Sequence, residues 1–276
     1  MDSISKVTAV YFSPTGNTEK CAVTAAKKLA AALSAEYAEY DFTCPADREA
    51  VKAFGENDLV VFAVPVYAGR VPNKVLPMIQ NGFAGNGALA VPMVTWGGRN
   101  YDNGLIELRN ELENLGFHTV AAAAVACGHA FATKITPERP DADDLAVLEK
   151  FADKTARRII RMEAIPAPVG VPGDDPVGAY YTPLGMDGEP AKFLKAKPLT
   201  DSEKCDRCGI CAAHCPMGSI DRDDPAAVTG ICIKCHACVT RCPQKAKYFD
   251  DDRLASHIEY LETHFAGMRK ASEFFL

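Results

Sequence analysis

Eight cysteines define the chemistry this chain can do. Cys205, Cys208, Cys211 and Cys215 recur 27 positions later as Cys232, Cys235, Cys238 and Cys242, and each fourth cysteine precedes a proline, Pro216 or Pro243. Three thiolates at i, i+3 and i+6 wrap one face of an iron–sulfur cubane, while a fourth, further around, reaches a neighbouring cluster. The spacing therefore predicts two interlocked 4Fe-4S sites, one held by Cys205, Cys208, Cys211 and Cys242, the other by Cys232, Cys235, Cys238 and Cys215. Proline after the fourth cysteine fixes φ and removes a donor, which helps turn the chain away from the metal. The competing chemistry, a pair of structural zinc sites, uses well-separated C-x2-C pairs and gains nothing from a third cysteine three residues on. His214 and His236 stand beside the ligands, with no cysteine position vacant for either to fill.

A second group of residues is suited to an anion. Ser13-Pro14-Thr15-Gly16-Asn17-Thr18 joins an apolar run to a helical pattern, and such a loop offers backbone N–H groups and the positive end of a helix dipole to a phosphomonoester. It lacks the G-x-x-x-x-G-K-[ST] pattern of nucleoside triphosphatases. Gly85-Asn86-Gly87-Ala88-Leu89-Ala90 precedes a strand instead of following one, so it fails the context for a dinucleotide. Two later segments, Pro65 to Pro72 and Thr95 to Asp102, are glycine-containing loops with aromatic residues at the ends of expected strands. Open parallel sheets bind ligands at those ends. Cys21, Cys44 and Cys127 read as core residues, though Cys127-Gly128-His129 closes the fifth strand on the same side. No nucleophile with a base and an orienting partner is identifiable.

The elements that must position these groups follow from periodicity. Strands are expected at 7–12, 37–42, 59–64, 89–95 and 119–127, with helical patterns at 20–30, 73–80, 102–115 and 143–162. Five strands separated by helices imply an α/β domain over 1–162, an open parallel sheet covered on both faces. Residues 163–199 hold seven prolines and five glycines, which makes them an irregular connector. Tyr180, Tyr181 and Phe193 argue that it lies along the first domain's surface. The cysteine repeat occupies 200–249, and over 250–276 Leu254, Ile258, Leu261, Phe265 and Met268 fall at the spacing of an amphipathic capping helix.

Composition narrows the classes further. The chain has 276 residues, 48% of them hydrophobic, and a formal net charge of -6, with no basic stripe for nucleic acid. No stretch approaches the roughly 18 apolar residues of a membrane span. Met1 to Lys6 shows no charged-then-apolar leader pattern, and eight of eleven cysteines are packed together. Metal binding in a reducing, cytoplasmic setting is the expectation, in place of secreted disulfides.

Residues 200–249 resemble the bacterial dicluster ferredoxins, including Cys208-Gly209-Ile210-Cys211, with His236 and Ala237 as departures in the second half. Residues 1–162 resemble flavodoxins in chain order and in the three loops. That resemblance implies a flavodoxin-like doubly wound five-stranded sheet of order 2-1-3-4-5 ahead of a small α+β dicluster domain. It also implies FMN, its phosphate on Ser13, Thr15, Gly16, Asn17 and Thr18. The ring would lie between Pro65, Tyr67, Ala68, Gly69 and Arg70 on one side and Thr95, Trp96, Gly97, Arg99, Tyr101 and Asp102 on the other. By position Tyr67 and Tyr101 resemble the aromatic pair that sandwiches the ring, and Trp96 reads equally as a core residue. In flavodoxins a peptide flip presents a carbonyl to the N5 proton of the reduced ring, and Ala68-Gly69 is placed for it. Arg70 and Arg99 depart from the acidic surroundings usual in flavodoxins: either they reach the ring and raise its potential, or they point to solvent.

The order flavodoxin, connector, dicluster ferredoxin is similar to the ferrodoxin family of anaerobic bacteria and archaea. This implies an electron-transfer protein with FMN and two 4Fe-4S clusters, converting between one- and two-electron carriers and served by a redox protein or low-potential donor. The alternatives are a flavin-dependent reductase of a quinone, nitroaromatic or nicotinamide, for which no nicotinamide fingerprint is present, and a metal scaffold without redox turnover.

Overall fold

The computed structural model describes residues 3–276; Met1 and Asp2, part of the segment read for a leader pattern, lie outside them. The five expected strands form as β1 (Lys6–Tyr11), β2 (Glu36–Asp41), β3 (Asp58–Pro65), β4 (Leu89–Trp96) and β5 (Ala122–Ala126). All but β2 are apolar and buried along nearly their whole length, as strands covered on both faces must be. β2 stays partly exposed, in keeping with its polar EYAEYD sequence at the sheet's edge. Pairing gives the order β2-β1-β3-β4-β5, every pair parallel, which is the flavodoxin-like doubly wound order. Tyr11 lies level with Asp41 and Ala63, so the loops after the first three strands leave the sheet at one height. The order reverses at β1 and β3, where such sheets open a crevice.

Four helices cover the sheet: α1 (Asn17–Leu33), α2 (Leu76–Gly82), α3 (Gly104–Asn114) and α4 (Ala142–Ile160). Successive strand residues alternate between faces, so Val7 and Ala9 join α1 and α4 in one core layer while Val10 and Phe12 join α2 and α3 in the other. Burying side chains such as Leu29, Phe62 and Leu105 completely contributes about 2 kcal/mol each. Asp141 starts α4 with a reciprocal capping box, its carboxylate accepting the Asp144 N–H at 2.9 Å. Among the described residues no helix is long and apolar enough to cross a membrane.

The connector is pinned to this layer. Val169 N–H donates to the Thr119 carbonyl at 3.0 Å, Asp174 and Asn103 exchange two hydrogen bonds, and the Tyr180 hydroxyl donates to the Val71 carbonyl at 2.8 Å. The cysteine segment then builds two short helices, α5 (Ile210–Ala213) and α6 (Ala237–Thr240), offset by the same 27 positions as the cysteines. Leu199–Thr200 and Lys247–Tyr248 pair antiparallel to close it. It seats on the α/β layer through Arg241 Nε to the Pro14 carbonyl, 3.1 Å, and the Cys44 thiol to the Ala213 carbonyl, 3.5 Å.

The C-terminal segment differs from the single helix expected over 250–276. α7 (Asp252–Phe265) is capped by the Asp251 carboxylate and stops before Gly267, whose φ of +79° no continuing helix would hold. Met268, Arg269 and Lys270 therefore lie beyond it, and Arg269 pairs with Asp141 at 2.8 Å. The chain then adds an edge strand, β6 (Glu273–Phe275), antiparallel to β5. Phe274 fixes it by packing on Phe151, ring centroids 4.9 Å apart.

Candidate functional site

The cysteine repeat is also a backbone repeat. Arg207, Gly209 and Gly218 take left-handed φ values, and so do Lys234, His236 and Lys245 at the matching positions. Chain that alternates in this way turns successive N–H groups into one concavity suited to an anionic group. In each half the residue four after the last cysteine donates its N–H to that sulfur: Ser219 to Cys215 Sγ at 3.3 Å and Ala246 to Cys242 Sγ at 3.2 Å. Such bonds stabilise a thiolate. Cys205, Cys208, Cys211 and Cys242 line one concavity, and Cys215, Cys232, Cys235 and Cys238 line the other.

The donor set suits clusters. Burial pushes the Cys235 and Cys238 thiols up to about 12, so thiolates there need a bound cationic centre to offset their charge. His236 occupies the position that Gly209 holds in the first half, at φ +59°, and stacks on Phe249 at 4.4 Å.

A cavity of about 590 Å³ opens at the carboxyl ends of the central strands. At one end lie Pro14, Thr15, Asn17 and Thr18. Gly16, at φ +93°, makes the turn, and the N–H groups of Thr15, Gly16, Asn17 and Thr18 meet no acceptor among the described residues. Unpartnered donors at a helix start form the cradle a phosphate requires. Ser13 faces away: its N–H donates to Thr43 Oγ1 at 2.7 Å and its hydroxyl accepts the Glu19 N–H at 2.9 Å. Thr18 Oγ1 bonds Thr95 Oγ1 at 2.7 Å, which fixes the first loop to the third.

Pro65, Tyr67, Ala68 and Gly69 line the cavity from the second loop. Tyr67 and Arg70 exchange two backbone hydrogen bonds around a tight turn, with Ala68 and Gly69 both at positive φ. A side chain at 69 would collide with the Asp102 carboxylate. The expected peptide flip is not set up here. The Ala68 carbonyl accepts the Tyr181 N–H of the connector at 2.8 Å, and the Gly69 carbonyl accepts the N–H of Asn103, at the start of α3, at 2.9 Å.

Arg70 faces neither the ring site nor open solvent. Its guanidinium forks onto buried Glu107, donates to the Gly178 carbonyl at 2.9 Å and lies 4.5 Å over the Tyr180 ring. Arg99 does line the cavity, but it is paired with Asp102 and lies 4.0 Å over the Tyr181 ring. That pairing turns Asp102 to the arginine and out of the lining set. Tyr101 is withdrawn as well: it is 5% exposed, and its hydroxyl donates to Glu273 Oε2 at 2.8 Å. Trp96 takes the lining position instead, with Thr95 and Gly97 beside it, and its Nε1 is enclosed without a partner.

The remaining wall was not expected from the sequence. Tyr180, Tyr181, Phe193 and Leu194 of the connector, His129 and Phe131 after β5, and His257 and Leu261 of α7 all face the cavity. So do Ile231, Cys232, Ile233 and Lys234 of the cysteine segment. The burial of the Tyr67 hydroxyl, then the proximity of Cys235 and Cys232, raises that phenol well above its usual range. The sequence signals for this wall were the aromatic residues Tyr180, Tyr181 and Phe193 of the proline-rich connector and Cys127-Gly128-His129 at the end of the fifth strand.

Residues 197–243 match the family model of a 4Fe-4S dicluster domain. All eight repeat cysteines fall inside this dicluster segment. No curated protein matches the chain. Solved structures that overlap it include a flavodoxin from the domain Archaea, 13% identical, over 56% of this chain and 99% of that one, TM-score 0.39. A flavodoxin of Streptococcus pneumoniae TIGR4 is 19% identical, over 56% of this chain and 99% of that one, TM-score 0.40. The Flv1 flavodiiron core of Synechocystis sp. PCC6803 is 20% identical, over 58% of this chain and 37% of that one, TM-score 0.40. Overlaps at this level do not bear on function; the strand order stands on its own hydrogen bonds.

Proposed function

We propose that this chain is an electron-transfer iron–sulfur flavoprotein whose two cysteine sets hold two 4Fe-4S clusters and whose cavity holds FMN. Bound there, the clusters would supply one-electron transfer and the flavin one- or two-electron transfer. The observation that carries the reading is that Cys232, a ligand of the second set, lines the same cavity as Thr15, Tyr67 and Trp96. One thiolate thus borders both cofactor sites.

The chain's own residues give the pair of sets a polarity. Cys208 of the first set is exposed, whereas Cys235 of the second is buried, so the first faces a partner protein and the second faces the cavity. The phosphate loop anchors the FMN tail, and Arg241 holds that loop to the dicluster segment through the Pro14 carbonyl. Tyr180 and Tyr181, each held against an arginine, line the cavity. A relay is favoured over a reductase of small substrates because Cys232 borders this cavity and the sequence carries no nicotinamide fingerprint.

Anaerobic purification with iron, sulfide and FMN assays tests the reading. The expected inventory is two clusters and one FMN per chain, with flavin reduced by a low-potential donor protein and not by NAD(P)H. A colourless, zinc-loaded chain would overturn it, and rapid NAD(P)H turnover would replace the relay with the reductase.

A further inference from the structure

Two histidines outside the expected loops are locked into opposite tautomers on the wall of one cavity. His129 Nδ1 accepts the N–H groups of Phe131 at 3.3 Å and Ala132 at 3.1 Å. A neutral ring that accepts at one nitrogen carries its proton on the other, so His129 Nε2 is a donor. His257 is the reverse. Its Nδ1 lies 2.8 Å from the Leu184 carbonyl, which can only accept, so that nitrogen holds the proton and Nε2 is a bare acceptor. Burial lowers both rings' proton affinity and keeps them neutral, His129 to about 4.

Neither Nε2 has a hydrogen-bond partner among the described residues, and neither is among the enclosed unpartnered atoms, unlike Nε2 of His236. Both side chains line the cavity. They flank one ring, Phe131, whose centroid is 4.5 Å from His129 and 6.4 Å from His257. Gly97 makes room for this arrangement, since a Cβ there would lie 2.6 Å from His129 Cδ2. Bulk at 97 would displace the donor.

We infer that His129 and His257 form a donor–acceptor pair that reads an imide edge, a carbonyl oxygen beside a ring N–H, on the ligand in this cavity. Resting on the FMN reading, this assigns the pair to the pyrimidine edge of the flavin, with a ring carbonyl on His129 Nε2–H and N3–H on His257 Nε2. A bare phenyl or quinone edge offers no N–H for the second contact.

The test is titration of full-length, cluster-loaded protein, freed of flavin, with FMN and with N3-methyl-FMN, followed by flavin fluorescence. Native protein is expected to bind the methylated analogue about tenfold more weakly, the worth of one unmet buried hydrogen bond. His257→Phe should weaken FMN binding and abolish the discrimination, while His129→Phe should weaken both ligands about equally and His129→Gln, which keeps an N–H donor, should recover part of the loss. Equal affinity of native protein for the two flavins would overturn the inference while leaving the FMN reading intact. Failure of native protein to bind FMN at all would instead remove the reading beneath it.

Discussion

Cys208 and Cys235 hold the same place in the cysteine repeat and have opposite surroundings. The first is exposed and followed by Gly209; the second is 8% exposed and followed by His236, which stacks on Phe249 and lies 5.1 Å from Phe131 of the α/β layer. Backbone geometry in the two halves is nevertheless the same, down to the matched N–H bonds onto Cys215 and Cys242. Local sequence thus sets the shape of each loop, and what the loop leans on sets its environment. Burial and hydrogen bonding tune cluster potentials, so two sites written in one code can differ in function.

The largest test of this asymmetry is ligand removal. Cys235→Ser and Cys208→Ser should each cost roughly half of the bound iron, but only Cys235→Ser should also weaken FMN binding, because its loop walls the flavin cavity. Iron assays and flavin titrations check this, and equal loss of FMN affinity in both variants would break the comparison. Acid comes next. His129, beside the inner half, titrates at about 4 when folded against 6.5 when free. Between those values the unfolded chain binds a proton that the folded chain refuses, so this contribution is intact above pH 6.5. It falls by up to about 3 kcal/mol as the pH drops to 4. His129→Gln should flatten that slope in anaerobic melting curves taken across the range.

Smaller effects separate the halves residue by residue. His236→Ala keeps the left-handed backbone and discards the stacking, for an expected loss of about 2 kcal/mol in urea unfolding. Gly209→Ala, at φ +75° with open space around it, should cost about 1 kcal/mol, from backbone strain alone. A larger cost at 209 than at 236 would mean that the outer loop carries packing from an unrecognised source.

The five strands and the dicluster repeat were legible because both are written in short-range patterns, two-sided burial and a cysteine spacing of three, while the strand order came with the flavodoxin resemblance. Tyr101 and Arg70 were not, because their partners are distant in sequence. Tyr101 has the form of a ring-stacking residue until Glu273, from the far end of the chain, takes its hydroxyl. Arg70 is settled by Glu107, whose place on the buried face of α3 no loop motif announces. The Ala68-Gly69 turn shows the boundary within a single residue pair. The positive φ of Gly69 follows from its residue type, but that of Ala68, at +50°, does not, and the destination of both carbonyls was decided by Tyr181 and Asn103. Cys127-Gly128-His129 placed His129 at the right end of the sheet, but His257 had no motif, and neither tautomer was legible, since a tautomer is fixed only by contacts that folding supplies.

β6 has a further consequence. The chain leaves the sheet after α4, builds the dicluster segment, and returns to hydrogen-bond along β5, with Glu273 tethering the third loop through Tyr101. In the sheet's own terms the cysteine segment is an insertion, not an appendage. Cutting at the connector would not release a free-standing flavin module but would bare the edge of β5, the kind of open edge that drives chains to aggregate. The α/β layer and the cysteine segment are therefore one folding unit joined at both ends.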